Sequence, residues 1–301
     1  MMKRISTFSG LLVTVMLLLG AVACRQAADS AEIPASTAPV ALMGSSGMAP
    51  LPEPAAIERA IARLVTDDGC RDLTAEMRLT GTDGTGKRET IEFRLQRQFD
   101  PTATRTFLKV LAPAAEIDKA LLALQASDQP TEAFSYLPGL KKLAKLNSGR
   151  TVGFRGARVT VQELLGLELG QYDYRADSLV KDEQAGELVK VVLTERSGRG
   201  LAFPKINAYF EVAGLTPVRF ELLAAGGEVQ KRIRVEKIEQ IESRQTLTRL
   251  AIEDLAQQLN LTLELVNVDY DRGLEAAQFT TDRLKREVTA AAGRIDNTKG
   301  Q

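Results

Sequence analysis

From Leu73 to Val268 the sequence alternates apolar and polar residues many times over, and this period of two constrains the fold more than anything else in the chain. Leu73, Ala75, Met77 and Leu79 share one parity; Ile91, Phe93 and Leu95 form a second run, with Phe99 in step. Successive side chains of a strand point to opposite faces, so each run presents one apolar face. The glycine-rich turn at 81–86 between the two runs predicts a hairpin. Further strands are expected at Phe107–Leu111, Leu121–Leu124, Phe134–Leu137, Leu188–Thr194, Lys205–Val212, Val218–Leu223, Val229–Ile238, Leu247–Ile252 and Leu261–Val268. Consecutive strands with short connections make an antiparallel meander.

Helices are few. Ile57, Ala60, Ile61 and Leu64 recur at helical spacing until Asp67-Asp68-Gly69 ends the pattern. Thr160 and Glu163 form a capping box ahead of Leu164, Leu165 and Leu167. The expected fold class is therefore mainly β with a few helices (α+β), in one domain over residues 54–286, with a disordered tail at 287–301. A meander with so few helices must fill its apolar face or hold a ligand there. The residues expected to line such an apolar cavity are Met77, Ile91, Phe93, Leu95, Leu263 and Leu265.

The N-terminus reads as an export signal over residues 1–23. Lys3 and Arg4 precede an apolar run, Leu11 to Leu19, too short for a membrane span. Ala21-Val22-Ala23-Cys24 can be read two ways: as an ordinary A-x-A cleavage site, or as a lipobox in which Cys24 becomes a lipidated first residue. Residues 24–53 are rich in Ala, Pro and Ser, with too little apolar surface to fold alone, and predict a flexible tether.

Composition removes most enzyme classes. The chain has no histidine, which excludes Ser-His-Asp and Cys-His triads and imidazole metal sites. Cys24 and Cys70 alone support neither a disulfide framework nor a zinc cluster. Lys and Arg number 39, as do Asp and Glu, so no net field favours nucleic acid. Carboxylate, lysine or serine chemistry stays open, but no cofactor, metal or catalytic constellation is expected. Gly81 to Lys87 resembles a phosphate-binding loop, yet Arg88 stands where Ser or Thr is needed and a strand follows where a helix is needed. Leu140, Leu143 and Leu146 fall on one face at helical spacing with Lys141, Lys142 and Lys145 opposite, a basic amphipathic helix suited to phospholipid headgroups or an acidic partner, or else a solvated strand or loop with its lysines outward.

Four stretches, in this order, carry a family resemblance: Arg105 to Pro113; Phe134-Ser-Tyr-Leu-Pro-Gly-Leu-Lys-Lys142; Gly153-Phe154-Arg155-Gly156 ahead of Glu163-Leu164-Leu165; and Phe279 to Arg286. Together they resemble the outer membrane lipoprotein-sorting protein family, relatives of the LolA/LolB-like lipoprotein carriers. The resemblance implies a curved antiparallel half-barrel whose helices cover an apolar cavity. It also implies binding of acyl chains of lipids or lipoproteins, often beside a membrane transporter or envelope complex. It favours a strand over a helix for the basic stretch. Glu163 stands where the family pattern suggests aspartate. A lipidated Cys24 would fit a membrane-held acceptor of periplasm-facing location at the outer membrane better than a soluble periplasmic shuttle. A lipidated mature chain beginning at Cys24 is expected; the intact mass of the native protein checks it, and an unmodified N-terminus would remove the anchor.

Overall fold

The computed structural model describes residues 22–23, 50–66, 70–82, 87–100, 102–126, 129–147, 150–154, 157–167, 169–196 and 199–299. Cys24, most of the expected signal and tether, and the loop 83–86 lie outside the described residues.

After the two-residue strand β1 (Val22–Ala23) comes helix α1 (Pro54–Thr66). A first meander follows: β2 (Asp72–Thr82), β3 (Arg88–Asp100), β4 (Ala103–Ala112), β5 (Ala120–Ala126), β6 (Glu132–Leu137) and β7 (Lys142–Leu146). A connecting segment holds β8 (Thr151–Phe154), β9 (Ala157–Thr160) and α2 (Val161–Leu165). The second meander is β10 (Tyr172–Asp182), β11 (Gly186–Glu195), β12 (Lys205–Glu211), β13 (Pro217–Leu223), β14 (Val229–Ile241), β15 (Arg244–Asp254) and β16 (Leu259–Tyr270), and α3 (Thr281–Lys299) ends the chain.

Thirteen strands form one antiparallel sheet that does not close into a barrel, in the order β10-β11-β12-β13-β14-β15-β16-β2-β3-β4-β5-β6-β7. β1 pairs with β15 off this path, and β8 and β9 form a separate hairpin. The two meanders are joined by β16 and β2, with Leu263 opposite Leu79 and Leu265 opposite Met77. Every strand read from the alternation is present. β10 is a strand beyond those expected; Tyr172, Tyr174 and Ala176 alternate with polar residues, but it is an edge strand, paired on one side only, and most of its side chains are exposed or half-buried.

The sheet has two apolar faces, which the strand parity separates. On the core face, Met77, Phe93, Leu108 and Leu121 join α1 through Ile57, Ala60, Ile61 and Leu64, and α2 through Val161 and Leu165. On the opposite face, Phe107, Ala120 and Leu122 pack against Phe279, Leu284 and Val288 of the α3 segment. The tail therefore needs a correction: helix α3 continues through Lys299, and Val288 and Ala291 are buried where disorder was expected from 287. The reason is that Leu284 and Val288 recur at helical spacing and find an apolar strip of Phe107, Ala120 and Leu122 on β4 and β5, a partner set by tertiary structure.

Asp72 holds the crossing to that face in place. Its buried carboxylate accepts the Arg272 N–H at 2.8 Å on Oδ1, and those of Gly273 and Leu274 at 2.9 and 3.0 Å on Oδ2. Gly273 supplies the positive φ of 81° that points successive N–H groups at one carboxylate. Asp72→Ala is expected to lower stability by about 3 kcal/mol, because it orphans three donors at once, and Asp72→Asn by less; urea unfolding of the two variants checks the order.

Candidate functional site

The residues expected to line a cavity do come together. Met77 lies opposite Phe93, Leu79 opposite Ile91 and Ala75 opposite Leu95, while Leu263 and Leu265 flank them from β16. Met77, Ile91, Phe93, Leu95, Leu263 and Leu265 thus form one continuous apolar patch on three neighbouring strands. They are only 0–4% exposed, packed within the core rather than lining open space.

The covering elements are locked by polar side chains that the alternation does not reveal. Gln162 of α2 donates to Tyr172 Oη at 2.8 Å, and its Oε1 accepts the Ala202 N–H at 2.6 Å. The Tyr172 hydroxyl donates to the Phe203 carbonyl at 2.6 Å. Arg97 continues the Ile91-Phe93-Leu95 row, is 7% exposed, and donates to the Leu165 carbonyl at 2.6 Å and to Thr106 Oγ1 at 3.1 Å. A cation at the C-terminus of α2 satisfies a carbonyl that the helix leaves free, and Gly166, with φ of 93°, ends the helix there. The signal for Arg97 is an arginine on an apolar parity, and for Tyr172 its place at the head of the alternating Tyr172, Tyr174 and Ala176; Gln162 carries none.

The three lysines separate. Lys145 pairs with Glu132 on the α3 face. There it borders a cleft of about 790 Å³ lined also by Ala103, Arg105, Leu124 and Ala126. Lys141 and Lys142 lie at the other end of β7, exposed at the β6–β7 turn, beside Leu137 and Leu140, which are 43% and 73% exposed. Residues 142–146 form a strand, as the resemblance implied.

Several other acids and phenols have structural partners. Asp254, fully buried, pairs with the Lys231 ammonium at 3.1 Å, and Glu253 pairs with Arg232. The Tyr209 hydroxyl donates to Glu221 at 2.8 Å beneath the Arg219 guanidinium, 4.1 Å from the ring centroid. Burial, then the Glu221 carboxylate, pushes the phenol up to about 12, so it holds its proton at physiological pH. Lys87 pairs with Glu89 at the start of β3, and strands flank the glycine loop on both sides. Among the described residues, no group of His, Cys, Asp and Glu is placed to hold a metal, and no helix is long and apolar enough to cross a membrane.

This architecture is that of the outer membrane lipoprotein-sorting and LolA superfamily folds. A domain from Vibrio parahaemolyticus described as outer membrane lipoprotein-sorting matches with a TM-score of 0.67 at 17% identity, over 77% of this chain and 97% of that one. A DUF1329 family protein from Desulfovibrio piger matches with a TM-score of 0.67 at 18% identity, over 76% and 98%. A LolA superfamily protein from Nitrosomonas europaea matches with a TM-score of 0.63 at 15% identity, over 76% and 98%. A sequence-family model described only as an uncharacterized protein matches residues 102–286, more than half of the chain, and the chain belongs to that family. No curated protein matches the sequence significantly.

The α3 helix braces the strands that carry both the cleft and the exposed turn. Glu287 accepts from Lys109 at 2.6 Å and from Arg283 at 3.1 Å, and the Arg283 guanidinium stacks 4.3 Å from the Phe107 centroid. Burial alone would raise the Glu287 carboxyl; Lys109 and Arg283 outweigh it and hold it below its ordinary value of 4.5. A depressed carboxylate contributes stability that is full above its unfolded value and is lost as pH falls through the lower folded value. Urea midpoints measured from pH 6 down to pH 3 are therefore expected to fall more steeply for the unmodified chain than for Glu287→Gln.

Proposed function

We propose that this chain is a non-catalytic cell-envelope protein that binds the acyl chains of lipids or lipoproteins and takes part in their transport or sorting to the outer membrane. The observation that carries this reading is the continuous apolar patch of Met77, Ile91, Phe93, Leu95, Leu263 and Leu265, on a face covered by a 13-residue helix and a 5-residue helix. The exchange of α1 for cargo would be nearly balanced. Ile57, Ile61 and Leu64 contribute about 1.5–3 kcal/mol each when buried, and an acyl chain of roughly a dozen methylenes about 0.8 kcal/mol per CH₂. Such a balance suits a cargo that must be both taken up and released. Selectivity would follow chain length and shape. The likeness of fold to lipoprotein-sorting and LolA superfamily proteins supports the reading, as do the export signal and the lipobox-like Cys24, which would tether the domain on the periplasmic side.

A second reading, a lipoprotein that docks on an envelope transport complex and binds no lipid, is favoured by the near-complete burial of the same six side chains. Two measurements separate the two readings. Native mass spectrometry of the purified chain is expected to show a co-purifying lipid. Ile61→Ala, which weakens the docking of α1, is expected to raise the affinity for an acyl-chain fluorophore about tenfold or more, since a truncation of this kind costs about 2–5 kcal/mol. Phe93→Glu is expected to abolish that binding by leaving a carboxylate in an apolar site, with circular dichroism as the check on folding. A chain that carries no lipid, and binds no fluorophore even as Ile61→Ala, is a docking module.

A further inference from the structure

The β6–β7 turn is built differently from the rest of the surface. Of the three large apolar side chains exposed among the described residues, Leu137 and Leu140 sit together on this turn. Pro138–Leu140 form a single 3-10 turn with Leu137 as its extended N-cap residue, so Leu137 and Leu140 stand at the two ends of one tight turn. The turn is rigid. Pro138 fixes its own φ, and the Lys141 N–H closes the turn on the Pro138 carbonyl at 3.1 Å with Lys141 itself in the left-handed region at φ 49°. Behind it, Tyr136 and Leu143 pack against the cluster that includes Leu284 and Val288 of α3. The point therefore presents two leucines without a loop having to be ordered first.

The rim is basic. Lys141 and Lys142 are exposed and, among the described residues, neither forms an ion pair, whereas Lys145 is engaged by Glu132 at the far end of the strand. Two leucines are far too small an area for a stable protein interface, and lysine is depleted at the centre of such interfaces. An apolar point flanked by two exposed lysines instead matches the boundary between headgroups and acyl chains, where the ammonium groups meet lipid phosphates and the methyl groups enter the hydrocarbon.

We propose that the Leu137–Lys142 turn docks the domain on an anionic lipid bilayer, with Leu137 and Leu140 inserted and Lys141 and Lys142 against the headgroup phosphates. This surface lies outside the core-face patch, so its failure and the failure of the acyl-binding reading are separable.

The chain has no tryptophan, so a single introduced indole reports on its own position. Leu140→Trp in the full chain, mixed with phosphatidylglycerol–phosphatidylethanolamine vesicles, is expected to shift its emission to the blue and to be quenched by spin-labelled acyl chains. With pure phosphatidylcholine vesicles the shift is expected to shrink sharply. Glu183→Trp, at the exposed β10–β11 turn, is expected to show neither effect, which separates insertion of the turn from attachment through a lipidated N-terminus. In the Leu140→Trp background, Lys141→Glu with Lys142→Glu is expected to weaken binding to the anionic vesicles about tenfold or more, and Leu137→Ser by several-fold. An unshifted emission from Leu140→Trp, whether or not the protein sediments with the vesicles, would overturn the proposal and leave a protein surface as the occupant of the turn. Equal shifts with neutral and anionic vesicles would overturn the role of the lysines.

Discussion

The pairing of β16 with β2 is the joint on which the rest of the molecule depends. Each meander alone would expose a strand edge with a row of unpaired backbone groups at the place where the other begins. Their antiparallel ladder runs from Asn260 opposite Thr82 to Tyr270 opposite Leu73 and turns two sheets into one. It also sets the register that places Leu263 and Leu265 beside Leu79 and Met77, so a slip of one residue would turn every apolar side chain of β16 to the wrong face. The Asp72 carboxylate sits at the start of the same strand β2 and holds the 272–274 backbone just beyond the end of β16, so the joint also fixes where the chain leaves for the other face.

From that joint the two faces divide the work of the sheet. The core face gathers the apolar rows of both meanders under α1 and α2, and its polar residues close the cover rather than open a route: Arg97 on the end of α2, and Gln162 with Tyr172 on the 202–203 backbone. The α3 face is smaller and local to β4–β6. There the ion pair of Lys109 with Glu287 and the stacking of Arg283 on Phe107 fix a helix to β4, in the same sheet whose β6 leads into the Leu137–Leu140 turn. The proposed cargo face and the proposed membrane-facing turn are therefore separate parts of one ladder, the turn lying at its β6–β7 edge.

The resemblance stretches are distributed along this frame in a way that explains why they were readable. Arg105 to Pro113 is β4 with its closing proline, Phe134 to Lys142 is β6 with its turn, and Phe279 to Arg286 is the entry to α3. Each is a local device, and local devices leave a local trace. Beyond Arg286 the helical recurrence of Leu284 and Val288 has little meaning until Phe107 and Leu122 are known to face it.

The sequence by itself determined most of the strand pattern, the membership of the six-residue apolar patch, the positions of α1 and α2 and the basic stretch. All of these follow from periodicity, turn chemistry or composition, which act over a few residues. Only the tertiary structure decided that β16 meets β2, that the patch is packed beneath α1 and α2, and that Lys145 is paired while Lys141 and Lys142 stand free of ion pairs among the described residues. Those outcomes rest on contacts between residues up to about two hundred positions apart, such as Asp72 with Leu274. Alternation assigns a side chain to a face of its strand, but which strand lies beside it and what covers it are set by the closure of the whole sheet.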